Sequence, residues 1–307
     1  MKIVILDALT FGDTDLSGFN DLGEVEVFKT TSADETLGRV KDADVVVTNK
    51  VVIDAEMMDD SSRLKLICIA ATGMNNVDLE HASKKEIAVK NVAGYSTDSV
   101  VQHTFSMLFY MMGHARYYDE YVKSGEWQKS PVFTNVTQPF SEVKGKKWGI
   151  IGLGEIGRGV ANIAKAFGAE VVYYSTSGKN KNSDFQQINF TKLLETCDIV
   201  TIHAPLNAQT KGLIGHSELL MLKDGAVLLN LGRGGIVTES ALAAIIDVRE
   251  IYVGLDVLEK EPMTTPHPLM SIEHKERLYI TPHIAWASVE ARDTLIASVI
   301  DNIRTSF

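Results

Sequence analysis

One glycine-punctuated segment, residues 148–157, constrains the possible fold more than any other stretch of the chain. It reads WGIIGLGEIG, and a helical pattern follows over residues 158–167. This order is typical of a buried strand, a tight turn and a helix. In such a turn Gly152 permits the reversal, Gly154 leaves the backbone open to a pyrophosphate, and Gly157 allows close helix packing. Because a helix N-terminus also offers unpaired N–H groups to phosphates, the segment predicts a dinucleotide site. The predicted cofactor residues here are Gly152, Gly154, Glu155, Ile156 and Gly157.

The first hundred residues alternate between strand and helix patterns. Strand patterns occupy residues 2–7, 25–28, 45–48 and 66–70, and helical stretches such as 33–40 and 55–61 separate them. Such alternation is typical of parallel strands with helical crossovers. This part has no glycine fingerprint of its own, so we expect a smaller α/β domain that forms one wall of a cleft.

Polar residues follow two of these strands, at the sheet edge where ligands bind in open α/β folds. Lys50 follows one strand, and Thr72, Gly73 and Met74 follow another. Lys50 is a candidate ligand of a substrate carboxylate, and the backbone near Gly73 is a candidate N–H donor to it. The alternative is a solvated lysine and a helix-capping turn, which is the favoured interpretation for this domain taken alone.

Composition excludes several other classes of protein. The net charge of −10 and the lack of a basic stripe argue against a nucleic-acid partner. Cys68 and Cys197 both lie in apolar runs, which predicts buried free thiols rather than a disulfide framework or a metal site. The sequence contains no signal pattern and no apolar run of membrane length, so we expect a cytoplasmic protein with no membrane partner.

The pattern changes after residue 96. Residues 100–118 predict one long helix, and a polar loop over 125–147 leads to the fingerprint strand. We therefore place a domain boundary near residues 95–98.

The strand that follows the fingerprint helix, residues 170–174, predicts the form of the cofactor. NAD enzymes usually carry an acidic residue after this strand, where it binds the adenosine ribose. Ser175, Thr176 and Lys179 stand there instead. Small hydroxyls and a lysine suit the 2′-phosphate of NADP, although the same residues also fit an ordinary exposed turn. The interpretation leans slightly towards tolerance of NADP.

Further strand patterns end in polar or ionisable residues. They cover residues 198–206, 226–230, 252–257 and 278–283. Because parallel strands share one C-terminal edge, the residues that follow them should converge on a single crevice.

Reduction of a 2-keto acid requires that its carboxylate be held and its ketone oxygen be protonated. Arg233, between glycines, suits the carboxylate because its planar fork makes two hydrogen bonds. His283 suits the proton, and Glu261 would hold the imidazolium. Asp256 is a candidate acceptor for the nicotinamide carboxamide. Each residue also has a structural interpretation, but their joint occurrence at successive strand ends favours the catalytic one.

The remaining histidines do not occur in such a constellation. His203, with Pro205, is predicted to shape the loop beside the nicotinamide. No role is assigned to His81, His103, His114, His216, His267 and His274.

Together these motifs resemble the D-isomer-specific 2-hydroxyacid dehydrogenase family over essentially the whole chain. The resemblance is carried by residues 152–157, 203–207, 230–234, 256–262 and 281–283. It implies an α/β fold of two Rossmann-like or flavodoxin-like domains, each a parallel sheet flanked by helices. The cofactor domain, 97–287, would be inserted in a catalytic domain formed by 1–96 plus 288–307. The resemblance also implies NAD(H) or NADP(H), a homodimer, Arg233 on the substrate carboxylate, and a His283–Glu261 acid/base pair.

The expected site residues fall into two further groups. The other cofactor residues are Ser175, Thr176, Lys179, His203, Ala204, Pro205, Asn207, Thr210, Leu231, Gly232, Arg233, Asp256, His283 and Ala285. The substrate residues are Lys50, Thr72, Gly73, Met74, Arg233, His283 and Trp286.

Within the family, residues 283–288 resemble the glycerate dehydrogenase (hydroxypyruvate reductase) branch. Trp286 would make the pocket small, which favours hydroxypyruvate, reduced to D-glycerate, or glyoxylate. Two residues depart from the family pattern. Ser175 stands in place of the acidic residue of NAD-dependent members, and Leu231 is bulkier than the residue usual before the arginine loop. Phosphoglycerate- and phosphite-type dehydrogenases remain alternatives, as does a non-catalytic, dinucleotide-sensing protein similar to corepressors. A formate enzyme would be expected to carry glutamine in place of Glu261.

Overall fold

The structure is a computed structural model that describes all 307 residues. The chain divides into two compact units. The first unit comprises Met1–Ser96 and Trp286–Phe307, and the second comprises Thr97–Ala285. Trp286 and Ala287, which the sequence analysis assigned to the cofactor domain, group with the first unit.

Twelve strands and eleven α-helices make up the two units. The strands are β1 (Lys2–Ile5), β2 (Glu24–Val27), β3 (Val45–Thr48), β4 (Leu66–Ile69), β5 (Ala88–Lys90), β6 (Lys147–Ile151), β7 (Glu170–Tyr174), β8 (Gln186–Gln187), β9 (Ile199–Ile202), β10 (Ala226–Asn230), β11 (Ile251–Leu255) and β12 (Leu278–Ile280). The helices are α1 (Ala33–Val40), α2 (Ala55–Asp59), α3 (Leu79–Lys84), α4 (Thr97–Met112), α5 (Ala115–Lys123), α6 (Glu126–Lys129), α7 (Glu155–Ala166), α8 (Phe190–Thr196), α9 (His216–Met221), α10 (Glu239–Ile245) and α11 (Val289–Arg304).

The first unit contains a five-stranded parallel sheet in the order β2-β1-β3-β4-β5. Successive residues of β1 point to opposite faces, so Ile3 and Ile5 enter one apolar cluster and Val4 enters another. Leu295 of α11 belongs to the Ile3 cluster. Burial on both faces explains why β1, β3 and β4 read as nearly continuous apolar runs in the sequence.

The second unit contains a seven-stranded parallel sheet in the order β12-β11-β10-β9-β6-β7-β8. Chain order reverses between β6 and β9, and open α/β sheets bind their ligands at such a reversal. The predicted fold class, two parallel α/β sheets flanked by helices, is confirmed.

The predicted single helix over residues 100–118 is wrong. The chain instead forms α4 and α5, which are separated at Gly113 and His114. His114 adopts a left-handed backbone conformation with φ of 47°, which no helix interior accommodates. Apolar residues recur on both sides of this break, so periodicity alone did not reveal it. The predicted loop over 125–147 likewise contains the short helix α6.

Both cysteines are buried and free, as predicted. Burial raises the pKa of the Cys68 thiol to about 12 and that of the Cys197 thiol to about 11. Both thiols therefore stay protonated and unreactive at neutral pH. None of the helices combines the length and apolar character needed to cross a bilayer.

Candidate active site

The three glycines of the turn after β6 have different environments. Gly152 has φ of +93°, which favours glycine, and its N–H donates to the Tyr174 carbonyl. A Cβ on Gly157 would clash with the Gly152 carbonyl oxygen. A Cβ on Gly154 would meet no atom within 4 Å. The turn thus needs glycine at the first and third positions for folding, while the second position faces open space.

The N-terminus of α7 follows this turn and lacks a side-chain cap. Gly154 is the N-cap residue and has no side chain to accept the first N–H groups. The N–H groups of Glu155 and Ile156, in the first turn, have no acceptor within the helix. Uncapped N–H groups at a helix N-terminus bind phosphate oxygens well.

Three buried side-chain polar atoms in the whole chain have no hydrogen-bond partner. They are Ser175 Oγ and both ring nitrogens of His203. Ser175 follows β7 and His203 follows β9, and these strands flank β6 in the sheet. Buried polar atoms are rarely left unpaired unless a ligand or water completes them. Their positions beside the glycine turn fit a bound dinucleotide.

His203 carries no charge at neutral pH. Its ring nitrogens are shielded from solvent, although part of the residue reaches the surface. This burial lowers the pKa of His203 to about 3. The ring therefore acts as a neutral donor or acceptor towards any ligand.

The other residues predicted after β7 and β9 have definite local roles. Thr176 is half-buried and Lys179 is exposed. Thr210 is buried, and its Oγ1 donates to the Pro205 carbonyl at 2.6 Å and accepts the Asn207 N–H at 2.8 Å. The side chains of Asn207 and Thr210 thus shape the loop that carries Ala204 and Pro205.

Asn230, which the sequence analysis did not select, holds the loop that carries Arg233. Its Oδ1 accepts the Gly232 N–H at 3.1 Å, and its Nδ2 donates to the Arg233 carbonyl at 3.0 Å. The half-buried Arg233 donates from Nη1 to the Gly232 carbonyl at 2.8 Å. Leu231 is buried, and a Cβ on Gly232 would lie 2.8 Å from the Ala204 carbonyl oxygen. A buried amide at the end of an apolar strand was the available sequence signal for Asn230.

His283 and Glu261 form a direct pair. His283 Nδ1 lies 2.7 Å from Glu261 Oε2. Glu261 Oε1 also accepts the Leu258 N–H at 2.9 Å, which fixes the carboxylate. Because Nδ1 donates to the carboxylate, Nε2 is the ring nitrogen that remains for proton transfer.

Asp256 holds the loop on which His283 lies. Its buried carboxylate accepts from Thr281 Oγ1 at 2.6 Å and from the N–H groups of Ile284 and Ala285, both at 2.9 Å. These bonds stabilise the left-handed conformation of His283, whose φ is 54°. The predicted bond from Asp256 to the carboxamide remains a prediction.

His103 of α4, to which the sequence analysis assigned no role, also belongs to this network. His103 Nε2 lies 3.2 Å from Thr281 Oγ1, the hydroxyl that donates to Asp256. Periodicity placed His103 on a helix, but only the fold brings it to the end of β12.

The structure brings the three candidate catalytic residues to neighbouring strand ends in one unit. Arg233 follows β10, Glu261 follows β11 and His283 follows β12, and these strands are adjacent. A Cβ on Gly234 would clash with the Leu258 carbonyl oxygen, so the first two loops touch through their backbones. The guanidinium of Arg233 can bind the carboxylate of a 2-keto acid. The His283–Glu261 pair on the adjacent loops can protonate its ketone oxygen.

The candidate substrate residues of the first unit lie at two adjacent strand ends. Lys50 follows β3, and Thr72, Gly73 and Met74 follow β4. Thr72 Oγ1 donates to the Val92 carbonyl, and Met74 packs against an apolar cluster.

Asp7, which was not selected from the sequence, supports the Lys50 loop. Its buried carboxylate accepts the N–H of Asn49 at 2.9 Å and that of Lys50 at 2.7 Å. Burial raises the pKa of Asp7, and these backbone bonds oppose that effect.

Trp286 lies in the first unit. Its ring packs edge-on against Tyr95, with centroids 6.2 Å apart, at the margin of the apolar cluster that contains Ile3. Its predicted contact with substrate remains a prediction.

Sequence comparison places the chain among known enzymes. Residues 105–285 match the NAD binding domain of the D-isomer specific 2-hydroxyacid dehydrogenases. The chain is 34% identical to the hydroxypyruvate reductase of Blautia hydrogenotrophica, over 99% of this chain and 96% of that protein. It is 33% identical to the glycerate dehydrogenase of Methylorubrum extorquens, over 98% and 95% of the two chains.

Structural comparison agrees with the sequence matches. The TT0316 protein of Thermus thermophilus superposes with a TM-score of 0.89 at 28% identity, over 100% of this chain and 96% of that one. The acyclic imino acid reductase Bsp5, solved with NADPH and D-Arg, gives a TM-score of 0.86 at 31% identity, over 99% and 96%.

Proposed function

The chain belongs to the D-isomer specific 2-hydroxyacid dehydrogenases, and we propose that it reduces hydroxypyruvate to D-glycerate, with glyoxylate as a second substrate. It is an oxidoreductase that uses a nicotinamide dinucleotide, NAD(H) or NADP(H). The observation that supports the reaction is the bonded His283–Glu261 pair on the loops next to that of Arg233.

Each residue has a defined task in the proposed reaction. Arg233 binds the substrate carboxylate through its planar guanidinium. His283 donates a proton from Nε2 to the ketone oxygen, and Glu261 stabilises the imidazolium before that transfer. The bound nicotinamide supplies the hydride. In the reverse direction His283 accepts the hydroxyl proton. We also propose Lys50 and the backbone at Gly73 as substrate ligands of the first unit.

The names of the relatives support a small substrate. Proteins called hydroxypyruvate reductase and glycerate dehydrogenase match nearly the whole chain. Those called glyoxylate reductase match it at similar identity, for example 33% over 91% of this chain for the Thermococcus litoralis protein. A two- or three-carbon keto acid is the substrate class that these proteins share in name.

A substrate panel tests the proposal. Hydroxypyruvate, glyoxylate, phosphohydroxypyruvate and pyruvate would each be assayed by loss of reduced-cofactor absorbance, with NADH and NADPH in parallel. We expect the highest kcat/KM for hydroxypyruvate.

Arg233→Ala should lower kcat/KM for hydroxypyruvate roughly 10- to 100-fold, as expected for loss of a charge-assisted contact.

Two results would contradict the proposal. Cofactor binding without oxidation of the cofactor by any keto acid would indicate a dinucleotide-sensing protein. Preference for phosphohydroxypyruvate would indicate the phosphoglycerate type of dehydrogenase.

We propose that the site accepts NADPH as well as NADH. The turn after β7 presents Ser175, Thr176 and Lys179 and carries no carboxylate until Asp184. Lys179→Ala should weaken NADPH binding several-fold while leaving NADH binding unchanged, because only NADPH carries a 2′-phosphate. Lys192→Ala, an exposed lysine on α8, is the matched control. Equal NADPH affinity in fluorescence titrations of the wild type and Lys179→Ala would contradict this role.

We propose that the protein is a homodimer. The segment between α6 and β6 exposes four large apolar side chains, Val132 at 58%, Phe133 at 88%, Val136 at 77% and Phe140 at 68%. An exposed apolar patch of this kind marks an association surface. The family resemblance implies a dimer formed through the same cofactor domain.

We also propose a cytoplasmic location. Cys68 and Cys197 are free, as is usual where thiols are kept reduced. Fractionation of the native host, followed by immunodetection, would test this location.

A further inference from the structure

We propose that Glu239 and His267 are positioning residues that hold Glu261 in register with Arg233. This inference rests on the catalytic roles proposed above. Glu239 and His267 are both buried, and neither belongs to the acid/base pair. Nothing in the sequence pattern distinguished them, because they meet only in the folded chain.

Glu239, the first residue of α10, and Glu259 bind each other's backbone. The Glu239 N–H donates to Glu259 Oε1 at 2.9 Å, and the Glu259 N–H donates to Glu239 Oε1. One such bond would set a single distance, whereas the reciprocal pair also sets orientation. The pair therefore fixes the turn before Glu261 against the start of α10.

His267 completes the binding of the Glu239 carboxylate. The Leu269 N–H donates to His267 Nδ1 at 3.3 Å, so Nδ1 is the acceptor and Nε2 carries the proton. Nε2 then donates to Glu239 Oε2 at 3.0 Å. Both carboxylate oxygens thus have donors, which a buried carboxylate requires. Without His267, Glu239 would be held less firmly.

The turn fixed in this way carries Glu261 and touches the Arg233 loop. Glu261 accepts the Leu258 N–H, one residue before Glu259. The Leu258 carbonyl is also the group that packs against Gly234, next to Arg233. Residues 234–239 are therefore joined at both of their ends to Leu258 and Glu259, at Gly234 by the backbone contact and at Glu239 by the glutamate pair. Release of one end would shift Glu261 relative to Arg233, and a displacement near 1 Å can cost about 100-fold in rate.

Two substitutions of His267 separate this role from simple stabilisation. In His267→Gln the side-chain amide can donate to Glu239 from near the Nε2 position but no longer accepts the Leu269 N–H. In His267→Asn the side-chain oxygen can accept the Leu269 N–H but no longer reaches Glu239. We expect kcat for hydroxypyruvate to fall roughly tenfold in His267→Asn and to stay close to wild type in His267→Gln. The dissociation constant for NADH should change in neither variant.

Glu239→Ala tests the carboxylate itself. We expect kcat to fall roughly 10- to 100-fold with unchanged NADH affinity. Asn189→Ala is the matched control, because Asn189 accepts the Lys192 N–H at the start of α8, which packs against β6 and β7 rather than β10 or β11. It should lower the melting temperature without lowering kcat. Glu239→Gln, which keeps an acceptor for the Glu259 N–H, serves as the milder variant should Glu239→Ala unfold.

A double variant distinguishes the two proposals. Because Glu239 acts through Glu261, adding Glu239→Ala to Glu261→Gln should lower kcat no further than Glu261→Gln alone. A full multiplicative loss in the double variant would overturn the positioning role. So would equal kcat in His267→Asn, His267→Gln and wild type. An unchanged kcat in Glu261→Gln would also overturn the positioning role, because Glu239 is proposed to act through Glu261. A wild-type protein that reduced no keto acid would instead contradict the proposed function itself.

Discussion

The single contact between His283 Nδ1 and Glu261 Oε2 determines which ring nitrogen the proposed acid presents to the substrate. Because the carboxylate accepts from Nδ1, it leaves Nε2 for the ketone oxygen and holds the ring in one orientation. Loss of this contact should therefore slow the proposed proton transfer.

Glu261→Gln should lower kcat for hydroxypyruvate about tenfold or more, because the neutral amide no longer holds and polarises the imidazole as the carboxylate does. Steady-state kinetics with hydroxypyruvate would measure the loss. Glu276→Gln is the control, since Glu276 pairs with His274 at 3.0 Å and not with His283. A wild-type kcat in Glu261→Gln would exclude Glu261 from proton transfer.

His203 should make stability depend on pH. Its folded pKa of about 3 lies well below that of a histidine in the unfolded chain, about 6.5. Below about pH 6.5 the unfolded chain therefore binds a proton that the folded chain does not, and the free energy of unfolding falls. His203→Leu should remove about 1 kcal/mol of the loss seen between about pH 7.5 and about pH 5.5.

Denaturant unfolding of the cofactor-free protein at the two pH values would measure this effect. His216→Leu, a substitution of an exposed histidine at the start of α9, is the control. An unchanged pH dependence in His203→Leu would mean that the ring reaches water in solution.

Among the secondary-structure elements, the turn after β6 and the start of α7 contain two glycines with different functions, one in folding and one in cofactor binding. Gly157 is required because a Cβ there would clash with the Gly152 carbonyl oxygen, whereas a Cβ on Gly154 would meet no atom within 4 Å. The same sequence motif therefore contains one glycine needed for packing and one needed for the ligand.

Two alanine substitutions should show this separation. Gly154→Ala should leave the melting temperature of the cofactor-free protein nearly unchanged and weaken NADH binding at least about tenfold, because the Cβ meets only the pyrophosphate. Gly157→Ala should destabilise the fold by about 1–3 kcal/mol through a backbone clash. Thermal melts and fluorescence titrations of both variants are the measurements. Equal losses of stability would contradict the distinction.

The clearest error of the sequence analysis also concerns a secondary-structure element, the single helix predicted over residues 100–118. Helix α1 begins and ends where the pattern predicted, and so does strand β10. The long helix over 100–118 failed because the break depends on the backbone of Gly113 and His114. Periodicity reports which face of a helix is covered. The half-buried Tyr117, Tyr118 and Tyr121 of α5 continue the apolar pattern of α4 past the break.

For the whole molecule, the exposed apolar segment before β6 predicts the oligomeric state. Phe133→Asp combined with Val136→Asp should convert the proposed dimer to a monomer, since a dimer interface would bury both charges. Size-exclusion chromatography with light scattering would measure the mass. Val248→Asp, at an isolated apolar residue that is 71% exposed, should leave the mass unchanged. A wild-type protein that is monomeric would contradict the proposal directly.

The parallel α/β class, the family and the residue types at the strand ends could all be identified without a structure. These properties depend on near neighbours, because burial periodicity and turn chemistry act over a few residues. Which donors reach which carboxylates became evident only in the folded chain. Asp256 holds the N–H groups of Ile284 and Ala285, and Glu239 holds the turn that carries Glu261. Those bonds join segments 20 to 29 residues apart, and their geometry depends on loop backbones that no local pattern specifies.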